Sequence, residues 1–352
     1  MNQEAFKISP LPEHSFASDN NTGIHPAAWL ALQQAAQGQC LAYGDDPWTA
    51  AARARFCQVL GADVEVLFFL TGTAANMVAV AAMLQPWEAL ITSYHAHLYE
   101  DECGAPEKFS GCKIIPVDRA DGKLTPEDVE PLLAVRGDVH RAQPRAISIT
   151  QSTEFGRVYT LKEIRTLADY VHRHGMYLHM DGARLANACA SLGCTLKEMI
   201  IDTGVDIVSL GGTKNGLLHA EALIVVHPAL RERAQYLQKQ AGQLVSKMRF
   251  VAAQFLAYLH EDLYLQLAAH ANAMARELSQ QLARLPGLRL AHPTEANGVF
   301  VYVPLEKVEA LRKGGYFFLF DERTGMARLM CNYATELHHV ELLVDHWARV
   351  LS

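Results

Sequence analysis

The sequence predicts an α/β protein, with a large domain built on a mostly parallel central sheet and a small α+β domain after it. Three observations carry this expectation. The chain has 352 residues, beyond the ~250–300 at which a single hydrophobic core stops growing. Half of its residues are hydrophobic and a fifth are charged, the balance of an ordinary globular protein. Between residues 27 and 260, short apolar or β-branched runs alternate with helical patterns, several of them Ala-rich. Such alternation is the mark of βαβ units, whose helices cover both faces of a parallel sheet.

Taken in order, residues 1–26 are polar and lack periodicity, so an extended N-terminal arm is expected. Strands are expected at Val66–Leu70, Ala89–Thr92, Lys113–Val117, Ala146–Thr150, Tyr177–Met180, Ile207–Leu210 and Ala222–Val226. Glu232–His260 reads as one or two helices leading out of the large domain, 27–260. The small domain, 261–352, is expected to hold helix Ala268–Leu285, strand Val299–Val303, helix Val308–Leu311, strand Phe317–Phe320 and a last helix His338–Leu351. No internal repeat or low-complexity tract interrupts the chain.

The formal charge of -7 and the absence of a Lys/Arg block argue against nucleic acid as a partner and for a small molecule. The seven cysteines are irregularly spaced, without a Cys-x-x-Cys pair, and read as reduced thiols. The longest apolar runs, near Val78–Leu84 and Ala222–Val226, fall far short of the ~20 residues that span a bilayer. The N-terminus lacks a basic stretch followed by an apolar one, and a cytoplasmic location without a membrane partner is expected.

Four segments carry the chemistry. Lys214 lies in Ser209-Leu210-Gly211-Gly212-Thr213-Lys214-Asn215-Gly216, a Gly-flanked turn just beyond an apolar run. A lone loop lysine is ordinarily a solvated charge, whereas one held on a tight turn can face a cleft, where desolvation favours the neutral, nucleophilic amine. Asp181 ends the run Tyr177-Leu178-His179-Met180, where a carboxylate either caps the next helix or neutralises a cation such as a pyridinium nitrogen. Gly72 and Thr73 stand where an apolar strand turns into an Ala-rich helix, either a plain helix start capped by Thr71 or Thr73 or a phosphate cradle. That turn is neither Gly-x-Gly-x-x-Gly nor a P-loop, so nucleotide binding is disfavoured. His95 and His97 lie near Glu100, Asp101 and Glu102. They lack a third ligand at a set spacing, so no metal centre is expected, and an imidazole stacked on a cofactor ring is the better use.

This succession resembles the aspartate-aminotransferase-like fold of pyridoxal-phosphate enzymes, and more narrowly the threonine aldolase group of the β-eliminating lyase superfamily. The residues that carry the likeness are Ser18-Asp19-Asn20, Tyr43-Gly44-Asp45-Asp46-Pro47, Gly72-Thr73, His97 with Glu102, Asp181-Gly182-Ala183-Arg184, Gly211-Gly212-Thr213-Lys214 and Ala327-Arg328-Leu329. They run in the family's order through nearly the whole chain. The resemblance implies that Lys214 carries pyridoxal 5'-phosphate, that Asp181 pairs with the ring nitrogen, and that His97 stacks on the ring. It implies that Gly72 and Thr73 hold the phosphate, that Arg184 lies beside the cofactor, and that Ser18, Arg184 and Arg328 bind the substrate carboxylate. It further implies a homo-oligomer, a tetramer built as a dimer of dimers, with Lys239 and Lys247 the nearest candidates to reach a neighbour's phosphate.

Two departures stand out. Where many members of the family carry a His after the central strand, this chain has Glu154, which makes Glu154 the candidate general base. The lysine turn also lacks the usual Ser-Lys pair. The activity implied is cleavage of L-threonine, L-allo-threonine and related β-hydroxy-α-amino acids, L-phenylserine included, to glycine and an aldehyde. The rival readings are another lyase or an aminotransferase on the same fold, and a cofactor-binding regulatory module without turnover.

Overall fold

A computed structural model describes residues 14–352, so the first half of the expected arm, residues 1–13, lies outside the described residues. Seven strands form the larger sheet: β1 Glu65–Phe69, β2 Glu88–Ser93, β3 Lys113–Val117, β4 Gln143–Thr150, β5 Tyr177–Gly182, β6 Ile207–Gly211 and β7 Glu221–Val225. Their order is β1-β7-β6-β5-β4-β2-β3. All seven were expected from sequence, β3 with the same bounds and the others with at least one end displaced by one to three residues.

Strands β3, β2, β4, β5 and β6 run parallel, whereas β7 is antiparallel to both β6 and β1. The reason is the connection. Parallel neighbours need a crossover of a dozen residues or so, and residues 212–220 hold only a short turn, so the chain doubles back after β6.

Each face of this sheet buries its own core. Leu178 and Met180 of β5 and Val208 and Leu210 of β6 pack with helices Leu161–Arg173 and Leu185–Leu192 on one face. Ile207, Leu223 and Val225 meet helices Gly72–Met83 and Pro228–Gln240 on the other. Helix Gly72–Met83 is buried almost all round, and its many alanines let it lie close to the strands. Asn76 is the polar exception among its buried residues, so its amide must find partners inside the protein.

The span 232–260 resolves into helices Pro228–Gln240 and Arg249–Tyr258, with Gly242 between them at φ +71°, a left-handed conformation that suits glycine. The helix after it starts earlier than the sequence suggested, at Leu263, and runs to Leu282. Four further strands form an antiparallel sheet: β8 Arg289–Leu290, β9 Gly298–Tyr302, β10 Phe318–Asp321 and β11 Met326–Met330, in the order β10-β11-β9-β8. Strands β8 and β11 were not expected. Strand β8 has two residues, and β11 is Met-Ala-Arg-Leu-Met, without a β-branched residue and with a charge at its centre. Alternation explains the charge, since Ala327 and Leu329 enter the core beneath this smaller sheet while Arg328 points the other way.

The described part of the arm ties the two sheets' surroundings together. The Phe16 N–H donates to the Tyr316 carbonyl (3.1 Å), the Met330 N–H donates to the Phe16 carbonyl (2.7 Å), and the Phe16 ring is buried in the core that holds Trp347. Three residues on, Asp19 is fully buried at the edge of the larger sheet's loops.

Candidate active site

Parallel strands deliver their carboxyl ends to one edge, where the loops after β4, β5 and β6 converge with the start of helix Gly72–Met83 and with β11. They enclose a cavity of about 780 Å³. All nine residues singled out from sequence line it: Ser18, Gly72, Thr73, His97, Glu154, Asp181, Arg184, Lys214 and Arg328. Lys239 and Lys247 do not. Both are exposed on the surface, Lys239 with its amine 4.9 Å from the centre of the Tyr43 ring.

Lys214 sits in a short helical turn, Thr213–Asn215, directly after β6. The two glycines before it answer to space. A Cβ on Gly211 would lie 2.5 Å from the Ala183 carbonyl oxygen, and one on Gly212 2.5 Å from that of Ala220. Only glycine lets the lysine turn approach both the Asp181 loop and its own return strand so closely. Burial lowers the Lys214 pKa and the positive charge of Arg184 lowers it further, against the carboxylates of Asp19, Asp181 and Glu221.

Asp181 is buried at the end of β5, its Oδ1 accepting from the Ala183 N–H (3.0 Å) and its Oδ2 from Asn76 Nδ2 (2.9 Å). The same Nδ2 lies 2.9 Å from Glu102 Oε1, which also meets His97 Nδ1 at 2.9 Å. Asn76 therefore joins the Asp181 carboxylate to the acid behind His97. The Glu102 hydrogen bond raises the His97 pKa over the opposing effect of burial. Burial in turn raises that of Glu102.

Glu154 follows β4. Its Oε1 accepts from the His97 backbone N–H and the Thr150 hydroxyl, each at 2.9 Å, while its Oε2 is buried without a hydrogen-bond partner. Burial pushes its pKa from 4.5 to about 7, with the Asp181 charge acting the same way. His95, the second histidine of its segment, also lines the cavity, with its ring edge-on to Phe155 and its Nε2 3.6 Å from Asp118 Oδ1.

Two arginines make one wall strongly cationic. Arg184 grips Asp19 through Nε (2.7 Å) and Nη2 (2.9 Å), and Asn297 Nδ2 gives Asp19 a further hydrogen bond at 3.0 Å. Burial raises the Asp19 pKa, but the Arg184 charge and hydrogen bonds more than offset this and leave it lowered. Arg328 has no such carboxylate. Its Nε is buried without a partner, and burial and the Arg184 charge both lower its pKa. A half-buried guanidinium whose Nε has no partner calls for an anion.

Elsewhere on the lining, Thr71 caps helix Gly72–Met83 by accepting from the Ala74 N–H (3.3 Å), and the space around Gly72 is open. A capped helix start with free room favours a phosphate. The cavity thus offers a lysine, a buried carboxylate, an imidazole, a phosphate seat and a carboxylate seat. Those groups fit pyridoxal 5'-phosphate joined to an amino acid.

The family model described as beta-eliminating lyase matches residues 15–306. The chain belongs to the beta-eliminating lyase family. Its members use pyridoxal phosphate, and this one is a carbon-carbon lyase of the threonine aldolase type. The chain is 45% identical over 329 residues to the low specificity L-threonine aldolase of Pseudomonas aeruginosa, spanning 93% of this chain and 95% of that protein. Its structure matches the threonine aldolase of Leishmania major with a TM-score of 0.90 at 32% identity, over 96% of this chain and 100% of the other. A TM-score of 0.70 to an aspartate aminotransferase of Thermus thermophilus, at 16% identity over 94% and 89% of the two chains, shows that the fold is aspartate-aminotransferase-like.

Four residues lining the lyase's cavity or buried directly behind it escaped sequence reasoning. Asp19 stood inside a quoted motif without a role, and Asn76 follows the Gly72-Thr73 turn, where one polar residue in an otherwise apolar helix was a usable signal. His219 and Glu221 lie on the return from β6 to β7, and Glu221 looked like the polar flank of an apolar run.

The Asp19–Arg184 pair carries a prediction. Asp19→Ala leaves a buried guanidinium uncompensated, and a loss of about 3–5 kcal/mol in urea unfolding is expected. Because the folded Asp19 pKa is lowered, its contribution is present above the ordinary value of 3.8 and lost as pH falls through the folded pKa. A variant as stable as wild type at pH 7 would show that Arg184 does not depend on Asp19.

Proposed function

We propose that this lyase cleaves L-threonine, L-allo-threonine and related β-hydroxy-α-amino acids such as L-phenylserine to glycine and an aldehyde, with pyridoxal 5'-phosphate on Lys214. The observation that carries this reading is the gathering of Lys214, Asp181, His97, the Gly72 helix start and the two arginines around one cavity.

Pyridoxal phosphate, when bound, supplies the conjugated ring that accepts the electron pair of the breaking Cα–Cβ bond. Gly72 and Thr73 would seat its phosphate at the helix start, and Asp181 would keep its ring nitrogen protonated. His97, held by Glu102, would stack on the ring. Arg328, with Ser18 and the Nη1 of Arg184 that Asp19 does not engage, grips the substrate carboxylate. That grip fixes which bond at Cα is turned for cleavage. Glu154 takes the β-hydroxyl proton on the oxygen that has no other partner.

The purified protein, incubated with pyridoxal phosphate and L-threonine, should release glycine and acetaldehyde in equal amounts. Pyruvate or 2-oxobutyrate with ammonia in their place would refute the aldolase reading. The carboxylate grip makes a separate prediction. Arg328→Lys keeps the charge but loses the planar fork, and should raise KM for L-threonine by about 10- to 100-fold, the scale of a charge-assisted hydrogen bond. An unchanged KM would move the grip to other residues.

The lyase acts in the cytoplasm as a homo-oligomer, a tetramer formed as a dimer of dimers. Trp29, Leu30, Leu41 and Leu218 are exposed apolar side chains that an interface would cover. Lys239 and Lys247, exposed and outside their own cavity, are suited to a neighbour's phosphate. Light scattering on the eluting protein gives the mass, and a monomer would overturn the assembly.

A further inference from the structure

We infer that Glu221 is a positioning residue for Lys214: its buried carboxylate holds the Gly212–Thr213 turn that presents the amine and adds a balancing negative charge behind that turn. The inference rests on the reading that Lys214 carries the cofactor.

The geometry begins with the strands. Glu221 opens β7, paired with Gly211 of β6 on one side and with Phe69 of β1 on the other. It therefore stands between the strand that ends at the lysine turn and the strand that leads to the phosphate seat. Its Oε2 accepts from the Gly212 N–H at 3.1 Å, and Thr213 hydrogen-bonds it through side chain and backbone. The turn is closed a second time where the Ala220 N–H donates to Thr213 Oγ1 (3.2 Å) and the Gly212 N–H also meets the Ala220 carbonyl (3.1 Å). Glu221 itself lines the cavity, yet is buried in its residue as a whole.

A carboxyl in such a place costs free energy unless it serves a charge nearby. Lys214 is that charge, and it is surrounded on every side. Arg184 and His97 face it as cations, with Asp19, Asp181 and Glu221 as the carboxylates. Asp19 is spent on Arg184, and Asp181 stands opposite the ring nitrogen in the proposed arrangement. Glu221 has Lys214 as its cationic neighbour, with the Tyr258 phenol also in reach. Burial pushes Glu221 up to about 7, so above neutrality it is ionised and favours the protonated lysine nitrogen.

The test is a pH titration of the visible absorption of the holoenzyme, a signal that follows the protonation of the lysine nitrogen without turnover. Glu221→Gln keeps the shape and an acceptor for the Gly212 N–H but removes the charge. Its midpoint should fall by roughly one pH unit, the scale of losing one close opposite charge. Glu221→Asp, which restores the charge at shorter reach, should bring the midpoint back toward wild type. A Gln variant that titrates like wild type would overturn the proposal, and so would an Asp variant displaced as far as Gln, which would leave only a packing role. Borohydride reduction and peptide mapping of the same samples separate the two readings. A pyridoxyl adduct on Lys214 with an unmoved midpoint sinks the Glu221 proposal alone, and an adduct on another lysine sinks the Lys214 reading beneath it.

Discussion

Lys214→Ala is expected to lower turnover of L-threonine by about 1,000-fold or more, the scale of removing a nucleophile that forms the covalent link. The surroundings of Lys214 supply the reason. An amine on a solvated loop would remain protonated at neutral pH and could not attack. Here burial acts first and Arg184 second to favour the neutral amine. Gly211 and Gly212 bring its turn against the Ala183 and Ala220 backbones, so the side chain enters the cavity and does not swing in solvent. Lys214→Arg would keep a charge without a nucleophile, and should be as inactive as alanine. Residual activity within tenfold of wild type in either variant would mean that another lysine does the work.

How much of this was legible in the sequence depended on whether a residue signals locally. The strands of the larger sheet announce themselves because both faces are buried, which leaves continuous apolar runs such as Ile207–Leu210. Lys214, Asp181 and His97 follow such runs and carry their chemistry in their own residue type. The antiparallel course of β7 was not legible, because it follows from the length of the 212–220 connection and not from the strand's composition. Strand β11 was hidden by Arg328, the residue that points away from its core. Asp19, Asn76 and Glu221 act through partners 165, 105 and 9 residues away, distances that leave no pattern along the chain. Glu154 stands between these cases. Its position after β4 was readable, but its burial depends on the loop of His97, whose backbone N–H closes over one of its oxygens.

That burial leads to the second large effect. Glu154→Gln is expected to slow retro-aldol cleavage by about 100- to 10,000-fold, the usual contribution of a general base. The carboxyl has one oxygen held by His97 N–H and the Thr150 hydroxyl and the other bare, which is where a hydroxyl proton would be received. Burial and the Asp181 charge set its pKa at about 7, against an ordinary 4.5. A base must be ionised, so wild-type turnover should rise as pH increases through about 7, and that limb should vanish in the Gln variant. The same shift has an opposite consequence for stability. A carboxyl whose folded pKa is raised contributes stability that is full below the unfolded value and is lost as pH rises through the folded one. Above about pH 7 the wild-type chain therefore holds an unfavourable buried charge that Gln removes, and the variant should melt at a higher temperature there while being nearly inactive. A variant that is slow but no more stable at pH 8 would mean that Glu154 is not the group that ionises near 7. A variant whose cleavage rate stays within about threefold of wild type, below the range of base catalysis, would transfer the proton to another group, and His95 on the same wall of the cavity would be the next residue to replace.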